Sequence, residues 1–308
     1  MQPSPAGGEF GTLRTVLLKQ PLAAFRDQAR VDREWRSLGF TAPPDVLAAQ
    51  REYAEFIALL DADMPLEVVL LEVDDTTTLD SIYVRDASIV SAAGLILGRM
   101  GKPARAAEPA AQRRACQDWP LHIAGEIVSP GTLEGGDVLW LDERTIAVGR
   151  GYRTNDEGIR QLRAILGHTI DDLIVVPLPH WRGAGDVFHL MSIISPVDDD
   201  LAVVYLPLMP VPFVEQLSAR GMQFVEVPDA EFETMGANVL AVGPRDCVMV
   251  AGNPETQARL EAAGARVRTY DGTNISLKGG GGPTCLTRPL SREGAAGRSQ
   301  KAEVRRQK

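Results

Sequence analysis

Cysteine is scarce in this 308-residue chain: Cys116, Cys247 and Cys285 are the only three, and they lie too far apart for a disulfide framework or a Cys-x-x-Cys metal knuckle. A disulfide-stapled secreted scaffold is therefore excluded, and each thiol has to be judged singly. Long hydrophobic runs are missing as well. The longest, LAVVYLPLMPVPFV from Leu201, is broken by three prolines and falls short of the roughly 18 apolar residues of a membrane span. The start, MQPSPAGGEFGT, shows neither the basic nor the apolar region of a secretory signal and reads as a flexible leader, so the expected location is the cytoplasm. Basic charge is short: 32 Lys and Arg face 41 Asp and Glu, a net charge of −9. Six of those basic residues and only two acidic ones sit in residues 291–308, which leaves −13 for residues 1–290. Such a body repels a phosphate backbone, so a nucleic-acid partner is not expected.

What is present is ordinary globular material, 44% hydrophobic and 24% charged, which excludes fibrous and disordered classes. Along it one phrase recurs, an amphipathic segment leading into a short β-branched run. LEVVLLEV ends at Val73, HIAGEIV at Val128, DLIVV at Val176, MQFVEV at Val227 and ARVRT at Thr269. A spacing near fifty residues, five times over, indicates a repeat architecture of short strands alternating with helices. Ala49, Tyr53, Phe56, Ile57 and Leu60 fall at helical spacing. Asn155 can cap a helix that begins with Asp156 and Glu157 and stops at Gly167, and Asn253–Pro254 opens another that ends at Gly264. Residues 1–11 and 291–308 lack periodicity and apolar content, so they are expected to be a flexible leader and a disordered basic tail around one domain, 12–290.

Unusual polar residues follow each recurring strand at similar distances: Asp86, Glu134, His189, Asn238 and Cys285. If the repeats surround an axis, their equivalent loops meet at one end and these residues meet with them. Such a set can run thiol chemistry, because a cysteine that is mostly protonated at neutral pH needs a histidine or a cationic substrate beside it to become a thiolate. A carboxylate orienting the imidazole completes a nucleophile, base and orienter arrangement. Each piece also has a plainer reading. Cys116 and Cys247 read as small core hydrophobes. His189, in the apolar run FHLMSIIS, reads by its neighbours as a hydrogen-bonded core residue. Glu134 and Asp137 in LEGGDVLWL could be solvated groups at a bulged strand. Cys285 stands apart, since the four glycines of KGGGGPT before it add nothing to a core and suggest a backbone passing close to a ligand.

The phrases LDSIYVRDASIV, LEGGDVLWL, AVGRGYRTNDEGI, HLMS and GGGGPTCLTRPL, in that order, resemble the guanidino-group-modifying superfamily of dimethylarginine dimethylaminohydrolases, arginine deiminases and amidinotransferases. The resemblance implies a five-bladed, pseudo-symmetric α/β propeller of ββαβ units and a catalytic set of Cys285, His189 and Glu134. It also implies that Asp86 and Asp80 meet the substrate guanidinium, that Arg99 and Arg153 hold its carboxylate, and that no metal or organic cofactor takes part. The short dimethylarginine hydrolases match best, since arginine deiminases carry a further helical insertion. Two positions depart from the pattern: Arg85 replaces an acidic residue, and Met191 stands where deiminases and amidinotransferases place an aspartate. Met191 is accordingly expected to pack against N-methyl groups. The implied activity is a cysteine-dependent C–N hydrolase that turns arginine or a methylated arginine into citrulline and an amine through a thiouronium. Amidinotransfer or arginine deimination on the same fold is the alternative, and a non-catalytic binding module is the alternative of another class. The expected partner is a small guanidino molecule; the assembly is left open, with a homodimer as one expectation.

Overall fold

The computed structural model describes residues 8–61, 65–116, 122–186 and 188–294; the rest of the expected leader and tail lies outside the described residues. The sequence phrase that recurs five times becomes one strand in each of five three-stranded sheets. In the first sheet Thr12–Leu18 is central, with Arg288–Glu293 antiparallel on one side and Glu67–Leu70 parallel on the other. The other four repeat this arrangement around the central strands Gly94–Leu97, Thr145–Arg150, Leu201–Val204 and Asp246–Val250. Between each central strand and its parallel neighbour the chain forms helix, so every unit runs strand, strand, helix, strand, and the first is completed by the end of the chain. A parallel pair requires such a crossover, because a tight hairpin can join only antiparallel strands.

Local sequence explains the helices. Val46–Leu60 starts where Asp45 accepts a hydrogen bond from the Ala48 amide, and it buries Ala49, Tyr53, Phe56 and Leu60 on one face. Asp156–Leu166 is capped by Asn155, whose side chain accepts from the Gly158 amide, as the sequence indicates. Pro254–Ala262 forms too, but the Asn253 side chain turns instead to the carbonyls of Thr234 and Val250. The five central strands are almost wholly buried and the five parallel edge strands only partly so. Among the described residues, no helix is long and apolar enough to cross a membrane.

Both expected domain limits shift. Glu9 and Phe10, assigned to the leader, are buried. The last strand continues three residues past 290, with Ser291, Arg292 and Glu293 in register with Thr15, Leu13 and Thr12. Apolar content could not reveal that extension, since the strand is held by polar pairs such as Ser291 Oγ to Thr15 Oγ1 at 2.9 Å.

Candidate active site

Asp86, Glu134, His189, Asn238 and Cys285 each lie a few residues ahead of the antiparallel strand of a different sheet, the strands beginning at Ser88, Val138, Ile194, Leu240 and Arg288. Equivalent loops therefore supply all five. Asp86, His189 and Cys285 line one pocket of about 320 Å³ together with Asp80, Tyr83, Lys102, Arg105 and Gly279–Gly281.

His189 is fixed from behind. Its Nε2 lies 2.7 Å from Glu134 Oε2, and Glu134 is fully buried. Burial alone pushes the Glu134 carboxyl up, but the His189 hydrogen bond and charge, with Arg105 and Arg153, bring it well below the usual range. An ionised carboxylate only accepts, so Nε2 carries the proton of this bond. Burial disfavours the imidazolium, yet Asp86, Asp137 and Glu134 outweigh it and raise the His189 pKa. Nδ1 faces Asp86, 3.8 Å from Oδ1. Asp137, fully buried rather than solvated, accepts from Thr154 Oγ1 at 2.6 Å and from the Leu190 amide at 3.0 Å, which pins the loop carrying His189. The paired glycines before it have a steric cause: a Cβ at Gly136 would stand 2.6 Å from His189 Nδ1 and 2.7 Å from Asp86 Oδ1.

Cys285 is half-buried, and its Sγ receives the Asn238 amide at 3.5 Å. Asn238 Oδ1 in turn accepts from the Thr284 amide at 3.0 Å and its hydroxyl at 2.9 Å, so it shapes the turn that presents the thiol. Burial and the negative Asp86 raise the thiol pKa, with Thr284, Arg85 and Asn238 opposing. The glycine run admits an aromatic ring: a Cβ at Gly281 would come within 2.4 Å of Tyr83 Cε1. A close approach was legible in those glycines, although the partner is a side chain of this protein.

The pocket's cations are not those expected. Arg99 is exposed and donates to the Gly131 carbonyl at 3.1 Å. Arg153 is buried, with Nη1 3.7 Å from Glu134 Oε1 and Nη2 bonded to the Asp186 carbonyl, so its charge is spent on the carboxylate behind His189. Neither lines the pocket. Lys102 and Arg105 do: Lys102 Nζ pairs with Asp80 Oδ2 at 2.6 Å, and Arg105 bridges Asp86 and Glu108. The sequence carried a weak sign of this in the Arg105 and Glu108 spacing of three, which suits a one-turn ion pair. Asp86, Glu134 and His189 bring three donor atoms within 4.8 Å of one another, as a metal would need. Asp86 and Glu134 already accept bonds there from Arg105, the Gly136 amide and the His189 ring.

Met191 corrects a further expectation. It is 3% exposed and packs in the apolar cluster of Leu139, Leu190, Ile193 and Phe213, away from the pocket. The 3-10 turn Leu190–Ser192 begins just after His189 and turns the following side chains into that cluster. Met191→Asp is therefore expected to act on stability, by placing a carboxyl in that cluster, rather than to change substrate preference. The shift of the urea unfolding midpoint measures it.

A family profile described as N,N dimethylarginine dimethylhydrolase, eukaryotic, matches residues 45–292. An N(G),N(G)-dimethylarginine dimethylaminohydrolase of Streptomyces coelicolor is 34% identical over 195 residues, 63% of this chain and 69% of that protein. An arginine deiminase of Rhodococcus erythropolis is 32% identical over 52% of this chain, and the match spans 46% of the deiminase. Among solved structures, a dimethylarginine dimethylaminohydrolase of Pseudomonas aeruginosa, a cysteine-to-serine variant in complex with citrulline, superposes with a TM-score of 0.70 at 23% identity, over 90% of this chain and 98% of that one. That likeness bears on the fold.

Proposed function

Because the chain belongs to the N,N-dimethylarginine dimethylhydrolase family, whose members are hydrolases of guanidino groups, we propose that it cleaves a methylated arginine to citrulline and an alkylamine with Cys285 as nucleophile. The observation that supports this reading best is the buried Glu134–His189 pair standing behind a pocket that also holds Cys285 and Asp86.

In this reading the substrate guanidinium enters between Asp86, Asp80 and Cys285. The carboxylates keep it protonated, which keeps its central carbon electron-poor. Its positive charge also counters the burial and the Asp86 charge that hold the thiol protonated, so the thiolate forms beside the carbon it attacks. Sγ bonds to that carbon. As the tetrahedral adduct collapses, the C–N bond to the alkylated nitrogen breaks, and the protonated His189 gives the departing amine its Nδ1 proton. A thiouronium on Cys285 remains. His189, now a base, takes a proton from water; the oxygen adds to the carbon, the C–S bond breaks, and the ureido product leaves. The equivalent placing of five functional loops ahead of five sheets also favours the pseudo-symmetric propeller over an unrelated grouping of sheets.

Incubation with arginine and its mono- and dimethylated forms, with both products identified by mass spectrometry, tests the reading. Citrulline with methylamine or dimethylamine is expected. Ammonia from arginine as the faster reaction overturns the substrate, and no turnover of any member overturns the hydrolase assignment. The raised Cys285 pKa makes a separate prediction: iodoacetamide modification of the free protein at Cys285 speeds up with pH to a midpoint above the ordinary thiol value of about 8.5. A saturating guanidinium ligand that leaves the thiol reachable lowers that midpoint.

A further inference from the structure

A second, much smaller cavity is walled by Glu9, Arg85, Met191, Ser195, Leu240 and Thr284 among others. Arg85 is 1% exposed. Its Nε donates to the Thr284 carbonyl at 2.8 Å and its Nη1 lies 3.3 Å from Glu9 Oε2, while Nη2 has no partner among the described residues. Two more buried guanidinium groups adjoin the same wall. Arg292 Nη1 donates to the carbonyl of Ala241, a wall residue, and Arg288 donates to the Arg85 carbonyl; among the described residues Arg292 Nη2 and Arg288 Nε have no partner. The two are each 5% exposed. Glu9 is the carboxylate that all three sense, and burial with the mutual repulsion of Arg85 pushes Arg288 and Arg292 down to about 9 and about 10.

Three guanidinium groups thus lie in a nearly solvent-free interior with Glu9 beside all three and Asp86 acting on Arg288 as well, and among the described residues three of their N–H-bearing nitrogens are unmet. Arginine does not shed its charge readily, and an uncompensated buried charge is among the most costly features a fold can hold. We infer that this cavity binds a small monovalent anion of the halide class, chloride in ordinary buffers, held by Arg85 Nη2 with Arg288 and Arg292 supplying the surrounding positive charge. An oxyanion fits the site poorly. Phosphate or sulfate needs several directed donors, whereas Met191, Val239, Leu240 and Ala241 give the remaining wall an apolar character. A monatomic ion needs few directed donors. Arg85, which departs from the superfamily pattern in the sequence, acquires a reason in this site. The inference stands apart from the hydrolase reading, because no group in it takes part in a step of the proposed mechanism, and of its groups Arg85 and Thr284 bear on the Cys285 thiol.

The test compares melting of the unmodified protein in sodium chloride or bromide with melting in sodium gluconate at matched ionic strength, alongside anomalous diffraction from crystals grown in bromide. A saturable, halide-specific rise in Tm of roughly 2–5 °C is expected, with a bromide peak within contact distance of Arg85 Nη2. Arg85→Met should abolish the halide-specific rise. Equal Tm in all three salts, or a bromide map with no peak in this cavity, overturns the inference. The bromide map decides alone if Arg85→Met does not fold.

Discussion

Cys285→Ser is expected to reduce turnover by at least about 1000-fold while leaving the melting temperature nearly unchanged. A serine hydroxyl is far less acidic and less nucleophilic than a thiol, and nothing in the pocket is arranged to remove its proton before attack. The fold has little to lose, since serine keeps the size of the side chain and, among the described residues, the hydrogen bonds of Sγ are long ones, to Asn238 at 3.5 Å and Thr284 at 3.9 Å. The other cysteines supply the control. Cys116 and Cys247 are buried, and burial pushes their thiols up to about 11 and about 12, so neither is a nucleophile near neutral pH. Cys116→Ser and Cys247→Ser should keep most of the activity at some cost in stability. A Cys285→Ser protein with wild-type turnover ends the covalent mechanism.

His189→Gln comes next in size, with a loss of roughly 100- to 10,000-fold, the range for a positioned acid–base group. Glutamine can still donate a hydrogen bond to Glu134, which keeps that buried carboxylate partnered and favours retention of the fold. It can neither protonate the leaving amine nor activate water. If release of the ureido product suffers more than attack, a thiouronium accumulates, and intact mass after rapid quench shows Cys285 carrying the substrate less its departed amine. Retention of both full turnover and a protein free of adduct would return His189 to the core role that its apolar neighbours suggest.

The contrast between His189 and Met191 shows how far the sequence reaches. Both lie in HLMS, and the resemblance points to both, but loop position after a recurring strand marks His189 alone. One faces Asp86 and the other faces Phe213 and Ile193. Spacing after a strand tells which loop a residue occupies, but a single 3-10 turn reverses the direction of side chains two positions apart. The arginines make the same point for charge. Arg153 was expected to hold substrate and is held by Glu134 instead, and Lys102 reaches the pocket because the amides of Gly101 and Lys102 donate to Glu134 Oε1 at 2.8 and 3.2 Å.

By itself the sequence determined the fivefold recurrence, three of the helices and the grouping of Asp86, Glu134, His189, Asn238 and Cys285 on equivalent loops: local capping, periodicity and loop position are properties of neighbouring residues along the chain. Its five visible phrases are the parallel edge strands, whose mixture of polar and β-branched residues stands out. The tertiary structure alone decided that Glu9, Ser291 and Arg292 belong to the body, that Asp86 is gripped by Arg105, and that Arg85 lines a second cavity beside Glu9 rather than the pocket. Those outcomes depend on which charged groups from distant segments are desolvated together, and in low dielectric such pairings outweigh any local preference.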